Sequence, residues 1–244
     1  MSVIRFGILD EAFKNPNFRS KRFSELRLEA FLRIQQREGK VGKVLNALHP
    51  TKRLLVETVV AMLESKKPNE ILADEVLETS GVSKGSMYHH FEDLQELVET
   101  AQLVRYSKWI DASIDFMTTY VLGANSKENF IESLRKLTEL TQSVDRKGAR
   151  AERARALAAC FDNPRMAKAM GEMTQRHTDA LADIIHEVQN RGFVRPEVDA
   201  KAIAVFIQSY TLGKMVNDYN PTGVNDETWV NLIHDMAVRT FVTP

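Results

Sequence analysis

The sequence predicts an all-α protein, and three observations carry that prediction. Gly (11) and Pro (7) are sparse in 244 residues, while Ala, Leu, Glu, Lys and Arg are plentiful and β-branched runs are short. Apolar residues recur at helical spacing in one segment after another, and Gly, Pro and Asn clusters punctuate them. Residues 76–91 read as a short helix, a tight turn and a second short helix.

A chain this long makes one large or two small domains, and 43% apolar residues can fill a sizeable core. The formal net charge is zero, but it is unevenly placed. Residues 1–53 carry 12 Lys/Arg against 5 Asp/Glu, and residues 54–100 carry 3 against 10. No apolar run reaches membrane-spanning length, and the start of the chain has no apolar signal core. The single Cys160 cannot form an internal disulfide. These features predict a cytoplasmic protein with no membrane partner.

Residues 1–49 form a basic, mostly helical extension in this reading. Phe23, Leu26, Ala30, Leu32 and Ile34 recur at helical spacing, with Arg22, Arg27, Arg33 and Arg37 around them. The segment is an extra packing helix, a flexible arm, or an arm that touches phosphate.

Residues 50–100 form the next unit. Its first helix runs from Thr51 to about Ser65, with Leu54, Leu55, Thr58, Val59, Met62 and Leu63 as the inward stripe. Thr51, Lys52 and Arg53 stand at its start, where side chains and free N–H groups can hold phosphate. The second helix spans about Glu70 to Ser80. Gly81 can adopt the left-handed conformation that ends it, and Val82 plugs the turn. Ser83 is a good N-cap for the third helix, whose Met87 and Phe91 face inward. The outward face is Lys84, Gly85, Ser86, Tyr88 and His89, with no carboxylate among them. Such a face suits phosphate oxygens and base edges; an ordinary helical hairpin would also show a polar face.

The run Gly81-Val82-Ser83-Lys84-Gly85-Ser86-Met87-Tyr88-His89-His90-Phe91 resembles the DNA-binding signature of the TetR family of transcriptional regulators. That resemblance implies an N-terminal helix-turn-helix three-helix DNA-binding domain and a C-terminal helical ligand-binding and dimerisation domain. It implies a homodimer bound to a double-stranded DNA operator and, most commonly, a repressor released by a small organic effector. The DNA-facing residues would be Thr51, Lys52, Arg53, Ser83, Lys84, Gly85, Ser86, Tyr88 and His89, with His90 a packing or backbone-orienting residue. Three positions depart from the family pattern. Leu72 and Asp74 stand where Thr and a basic residue often begin the second helix, and Leu94 stands where a phosphate-holding Lys is usual. Those departures, with the acidic 54–100 segment, leave a second reading: a helical adaptor or small-molecule-binding protein that has lost DNA binding.

Asp93 caps a long helix that runs to about residue 120 without a proline, a ready lever between the two domains. Helices follow at about 127–141, 146–160, 164–190, 197–218 and 226–242, and residues 101–244 make the C-terminal domain. The resemblance implies that helices 197–218 and 226–242 pair with their counterparts as a four-helix bundle. Ala202, Ala204, Phe206, Gly213 and Met215, then Val230, Ile233, Met236, Ala237 and Phe241, fit that role or an intrachain core.

Trp109, Phe116, Tyr120, Phe161, Met166, Met170, Met173 and His177 are candidate lining for an effector cavity; each also suits ordinary packing. Asp179, Asp183 and His186 share one helical stripe, which is read as a solvated face rather than a metal site. Cys160 reads as a packing residue. No glycine loop for phosphate, nucleophile elbow or paired-Cys motif is present, so neither catalysis nor a cofactor is expected.

Overall fold

A computed structural model describes residues 48–244, so the expected basic extension lies outside the described residues except for Leu48 and His49. The described chain is helical nearly throughout. Its helices are α1 (Pro50–Met62), α2 (Ala73–Ser80), α3 (Lys84–His90), α4 (Leu94–Met117) and α5 (Lys127–Gln142). They continue with α6 (Lys147–Ala158), α7 (Pro164–Asn190), α8 (Ala200–Gly213), the single turn α9 (Met215–Asp218) and α10 (Asp226–Phe241). The one β-type contact among the described residues is an isolated antiparallel bridge, Val194 with Val242.

The chain divides into two compact units that do not follow chain order. One gathers residues 48–112 with 148–177, and the other gathers 113–147 with 178–244. Helices α4 and α7 each contribute to both.

The first unit is built on the three helices of the turn motif. Pro50 occupies the first helical position of α1, where its missing N–H costs nothing. Leu55, Val56, Val59 and Leu63 bury one face of α1. The inward stripe is thus shifted from the expected one: Leu54 is 43% exposed and Val56 is fully buried. Three apolar residues in a row span about 200° of a helix, so only two can share the buried side. Ile71, Val76, Met87, Phe91, Leu97, Val98, Ala101 and Val104 complete this core. The second helix starts at Ala73, later than expected. A 3-10 turn at Pro68–Glu70 precedes it, and the Glu70 carboxylate accepts the Lys67 backbone N–H at 2.8 Å.

In the second unit α5, α8 and α10 each start on a side-chain cap. Ser126 Oγ accepts from Asn129 N (3.2 Å), Asp199 Oδ1 from Ala202 N (2.7 Å) and Asn225 Oδ1 from Thr228 N (2.8 Å). The Asp199 cap explains why α8 begins at Ala200 and not near 197. The expected 197–218 helix also breaks at Lys214, whose ammonium is buried against Asp226 (3.1 Å) and Asp218 (3.5 Å). After α4 the chain widens into a π-helical turn, Thr118–Leu122, where an α-helix to residue 120 was expected. Helix α10 packs along α5, tied by Trp229 Nε1 to Gln142 Oε1 (2.9 Å) and Arg135 Nη2 to Asn231 Oδ1 (2.8 Å). Val230, Ile233 and Ala204 are buried in the chain's own core. Val205, Val216 and Leu232 are left 51%, 84% and 59% exposed.

Candidate nucleic-acid interface

The turn between α2 and α3 forms as its residues require. Gly81 ends α2 at φ 68°, a conformation that carries a steric cost for any residue with a Cβ, and its N–H donates to Leu77 O at 2.9 Å. Ser83 caps α3 by accepting the Ser86 N–H at 3.2 Å. Met87 and Phe91 then drop into the core, both at 2% exposure or less.

What remains outward on α3 is the face expected from sequence. Ser83, Lys84, Gly85 and His89 are exposed, Ser86 is half-buried, and Tyr88 is 46% exposed. A Cβ built on Gly85 meets nothing within 4 Å, so the α3 backbone is open there. This surface presents an ammonium, a phenol, hydroxyls and an imidazole, with no carboxylate on the helix itself.

Thr51, Lys52 and Arg53 at the start of α1 are half-buried. Lys52 Nζ lies 4.6 Å from the centre of the Phe91 ring, so its position is set by the residue that ends α3. Arg53 approaches Glu57 at only 3.9 Å and stays largely solvated. His90 stacks on His49 at 4.9 Å between ring centroids and meets His89 at 5.1 Å. Burial pushes the His90 imidazole below its ordinary value of 6.5, and the charges of His49, His89 and Lys52 add to that. The role of His49 escaped the sequence reading. It is the N-cap of α1, with Nδ1 3.3 Å from Thr51 N.

The three departures hold their places on this unit. Leu72 is the N-cap residue of α2, makes no side-chain cap and is 59% exposed. Asp74 is exposed in the first turn of α2. Leu94 opens α4 and packs partly against the core.

The candidate effector residues separate. In the first unit, Trp109 and His177 meet edge-on at 5.1 Å, and Met166 and Met170 are 1% and 3% exposed on the same face of α7 as His177. Met173 is half-buried, and Phe161, 89% exposed, lines no enclosed space. In the second unit Phe116 and Tyr120 pack together at 4.7 Å. Two surface depressions of about 270 and 460 Å³ lie among other residues: Arg135, Ser143 and Val230 in one, His186, Gln189 and Ala200 in the other. Asp179 is engaged by Lys201 at 2.8 Å and His186 by Gln189 at 3.0 Å. No cluster of three metal-ligating side chains occurs among the described residues, and no helix there is long and apolar enough to cross a membrane.

Sequence reasoning missed the buried cations of α6, Arg150 (1% exposed) and Arg153 (8%). The signal was available. Residues 147–158 contain Leu157 as their one large apolar residue, so whichever face packs inward must be made of Arg and Ala.

No family model matches the chain, and no curated protein matches it. Solved structures do. A TetR-family transcriptional regulator from Cytophaga hutchinsonii superposes with a TM-score of 0.57 at 17% identity, over 81% of this chain and 99% of the other. A proposed TetR-family regulator from Mesorhizobium loti gives 0.60 at 16% identity, over 79% and 97%. A proposed transcriptional regulator from Saccharomonospora viridis, in complex with choline, gives 0.55 at 14% identity, over 79% and 98%. The likeness at these identities is one of fold: an N-terminal helix-turn-helix unit followed by a helical C-terminal domain.

Proposed function

We propose that this chain is a DNA-binding transcriptional regulator, acting as a homodimeric repressor that a small organic effector releases. The observation that carries the reading is the outward face of α3: Lys84, Gly85, Tyr88 and His89 exposed together, on a helix held by the left-handed Gly81 and the Ser83 cap. Donors on a carboxylate-free helix match phosphate oxygens and the acceptor-rich edges of the major groove. The shared fold with transcriptional regulators supports the same reading. Thr51, Lys52, Arg53, Ser83 and Ser86 are assigned to phosphate, and Lys84, Tyr88 and His89 to phosphate or base edges.

Dimerisation is assigned to α8–α9 and α10, whose exposed Val205, Val216 and Leu232 need covering. In the docked dimer two copies of α3 enter successive major grooves, roughly 34–36 Å apart. Helix α4 starts four residues after the end of α3, so an effector held against α4 shifts α3. A coupling of about 1–3 kcal/mol gives a 5- to 150-fold loss of affinity. A small organic ligand is in keeping with the choline bound by the Saccharomonospora neighbour.

The test is binding of the full chain to the DNA upstream of its own gene, against a scrambled duplex. Preference for the upstream duplex supports the proposal; equal, weak binding to both opposes it. Exposed Leu72 and Asp74 on α2 favour one rival, a helical ligand-binding protein without DNA affinity. That rival predicts no duplex binding even at low salt.

A further inference from the structure

Arg153, on α6, is 8% exposed, and its charge is met by no carboxylate among the described residues. Its guanidinium carbon stands 3.7 Å above the centre of the Trp109 ring. The Tyr106 side chain is its hydrogen-bonding partner, and its Nε–H is buried with no partner. Trp109 is the hub of the cluster, with His177 at its edge (5.1 Å) and Tyr106 tilted beside it (5.6 Å).

Three carboxylates on the surrounding helices are engaged elsewhere. Asp111 holds Arg176 at 2.9 Å, Glu152 holds Arg105 at 2.7 Å, and Glu99 accepts from Arg165 (2.7 Å) and Asn163 (2.6 Å). One turn back on α6, buried Arg150 adds a second positive charge. Burial brings the Arg153 guanidinium down to about 10, and Arg150 pushes the same way. A ring face returns less than the desolvation of a full charge costs, so a guanidinium with a free N–H edge in such a place is an anion receptor.

We infer that the Tyr106–Trp109–Arg153–His177 cluster is the effector site and that its ligand is an organic carboxylate. The carboxylate takes the free Nε–H edge of Arg153. The apolar body lies against half-buried Trp109 and the Met166–Met170 face of α7. Tyr106 and Trp109 belong to α4, so an occupant acts directly on the helix that follows α3. This names the chemical class of the effector, and it rests on reading the chain as a ligand-responsive regulator.

Two measurements on the full chain test it. The first is the melting temperature of Arg153→Met. An unpaired buried charge replaced by an apolar side chain of similar length raises the melting temperature by several degrees; a fall shows that Arg153 is structural and overturns the inference. The second uses Trp229→Phe, which leaves Trp109 as the lone tryptophan of the two. Its emission is titrated with benzoate and decanoate, and with benzamide and decanamide. The inference predicts saturation by a carboxylate at a concentration at least tenfold below that of its amide, and loss of that gap in Arg153→Met. Equal response to acid and amide, or no response to either, overturns it. DNA release is read separately. A carboxylate that fills the site and leaves DNA binding unchanged sinks the regulator reading alone. A neutral molecule that releases DNA from wild type and Arg153→Met alike sinks the carboxylate site alone.

Discussion

His49 and His90 stack with their ring centroids 4.9 Å apart and 30° between planes, joining the cap of α1 to the last turn of α3. The pair makes the helix-turn-helix unit sensitive to pH. The folded-state His90 is depressed below 6.5, first by burial and then by the charges of His49, His89 and Lys52. The unfolded chain therefore binds the proton more readily, and stability rises with pH through this window. The contribution is fully present above about pH 7.5 and is lost as pH falls through 6.5 and below. His234, also depressed, chiefly by burial, acts in the same direction. Chemical denaturation at pH 7.5 and 5.5 should show a loss of stability at the lower pH, and His90→Gln should make that loss smaller. An unchanged pH dependence in the variant would remove His90 from the account.

Gly85 separates folding from binding. It lies inside α3 with open space around its Cβ position, so Gly85→Ala should leave the folding stability unchanged or raise it, by up to about 1 kcal/mol of helix propensity. If backbone approaches DNA there, the added methyl should weaken duplex binding several-fold. A variant that binds as wild type would place the duplex away from this part of α3.

Two other glycines predict losses of different origin. Gly81→Ala meets no atom within 4 Å, so its cost, about 1 kcal/mol, comes from φ 68° alone. Gly223→Ala puts a Cβ 2.6 Å from Asn217 Oδ1 and 3.0 Å from Asn217 O. Asn217 bonds Val224 through both its side-chain atoms (2.7 and 2.8 Å), so the alanine should disturb the loop before α10 and destabilise it more than Gly81→Ala does. Denaturation midpoints of the two variants decide the order.

The exposed apolar residues of α8, α9 and α10 predict a self-association surface. Val205→Asp and Leu232→Asp should each convert a dimer to a monomer in sedimentation, with the helical circular dichroism unchanged. A wild-type chain that sediments as a monomer at micromolar concentration would contradict the assignment.

The helix-turn-helix unit was legible because its signals are local. Gly81 needs a left-handed backbone, Ser83 needs an N–H three residues on, and Met87 and Phe91 need one buried side; each statement concerns residues within one turn. The helices that start at 127, 164 and 226 also agree closely, because Ser126, Pro164 and Asn225 mark them in the sequence, whereas the expected 197–218 helix starts later and breaks at Lys214. What was not legible depends on partners far along the chain. Leu54 and Val56 exchange roles because the direction of burial is set by what packs on α1, and periodicity alone leaves the stripe free to rotate by one residue. Val230 and Ile233 turn toward α5 and the chain's own core, while Leu232 between them faces out; a stripe of apolar residues does not say on which side its partner lies. The burial of Arg153 was not legible because a buried arginine is defined by its surroundings, here Trp109 and Tyr106 more than forty residues earlier.

The most direct measurement is the salt dependence of upstream-DNA binding by the full chain, followed by fluorescence anisotropy, for wild type, Lys84→Ala and Tyr88→Ala. Affinity that falls steeply with salt is expected. Lys84→Ala should reduce the log–log slope by about one, and Tyr88→Ala should weaken binding roughly 5- to 10-fold. Slopes and affinities identical in all three proteins, or no preference over a scrambled duplex, would contradict the claim that the outward face of α3 meets DNA.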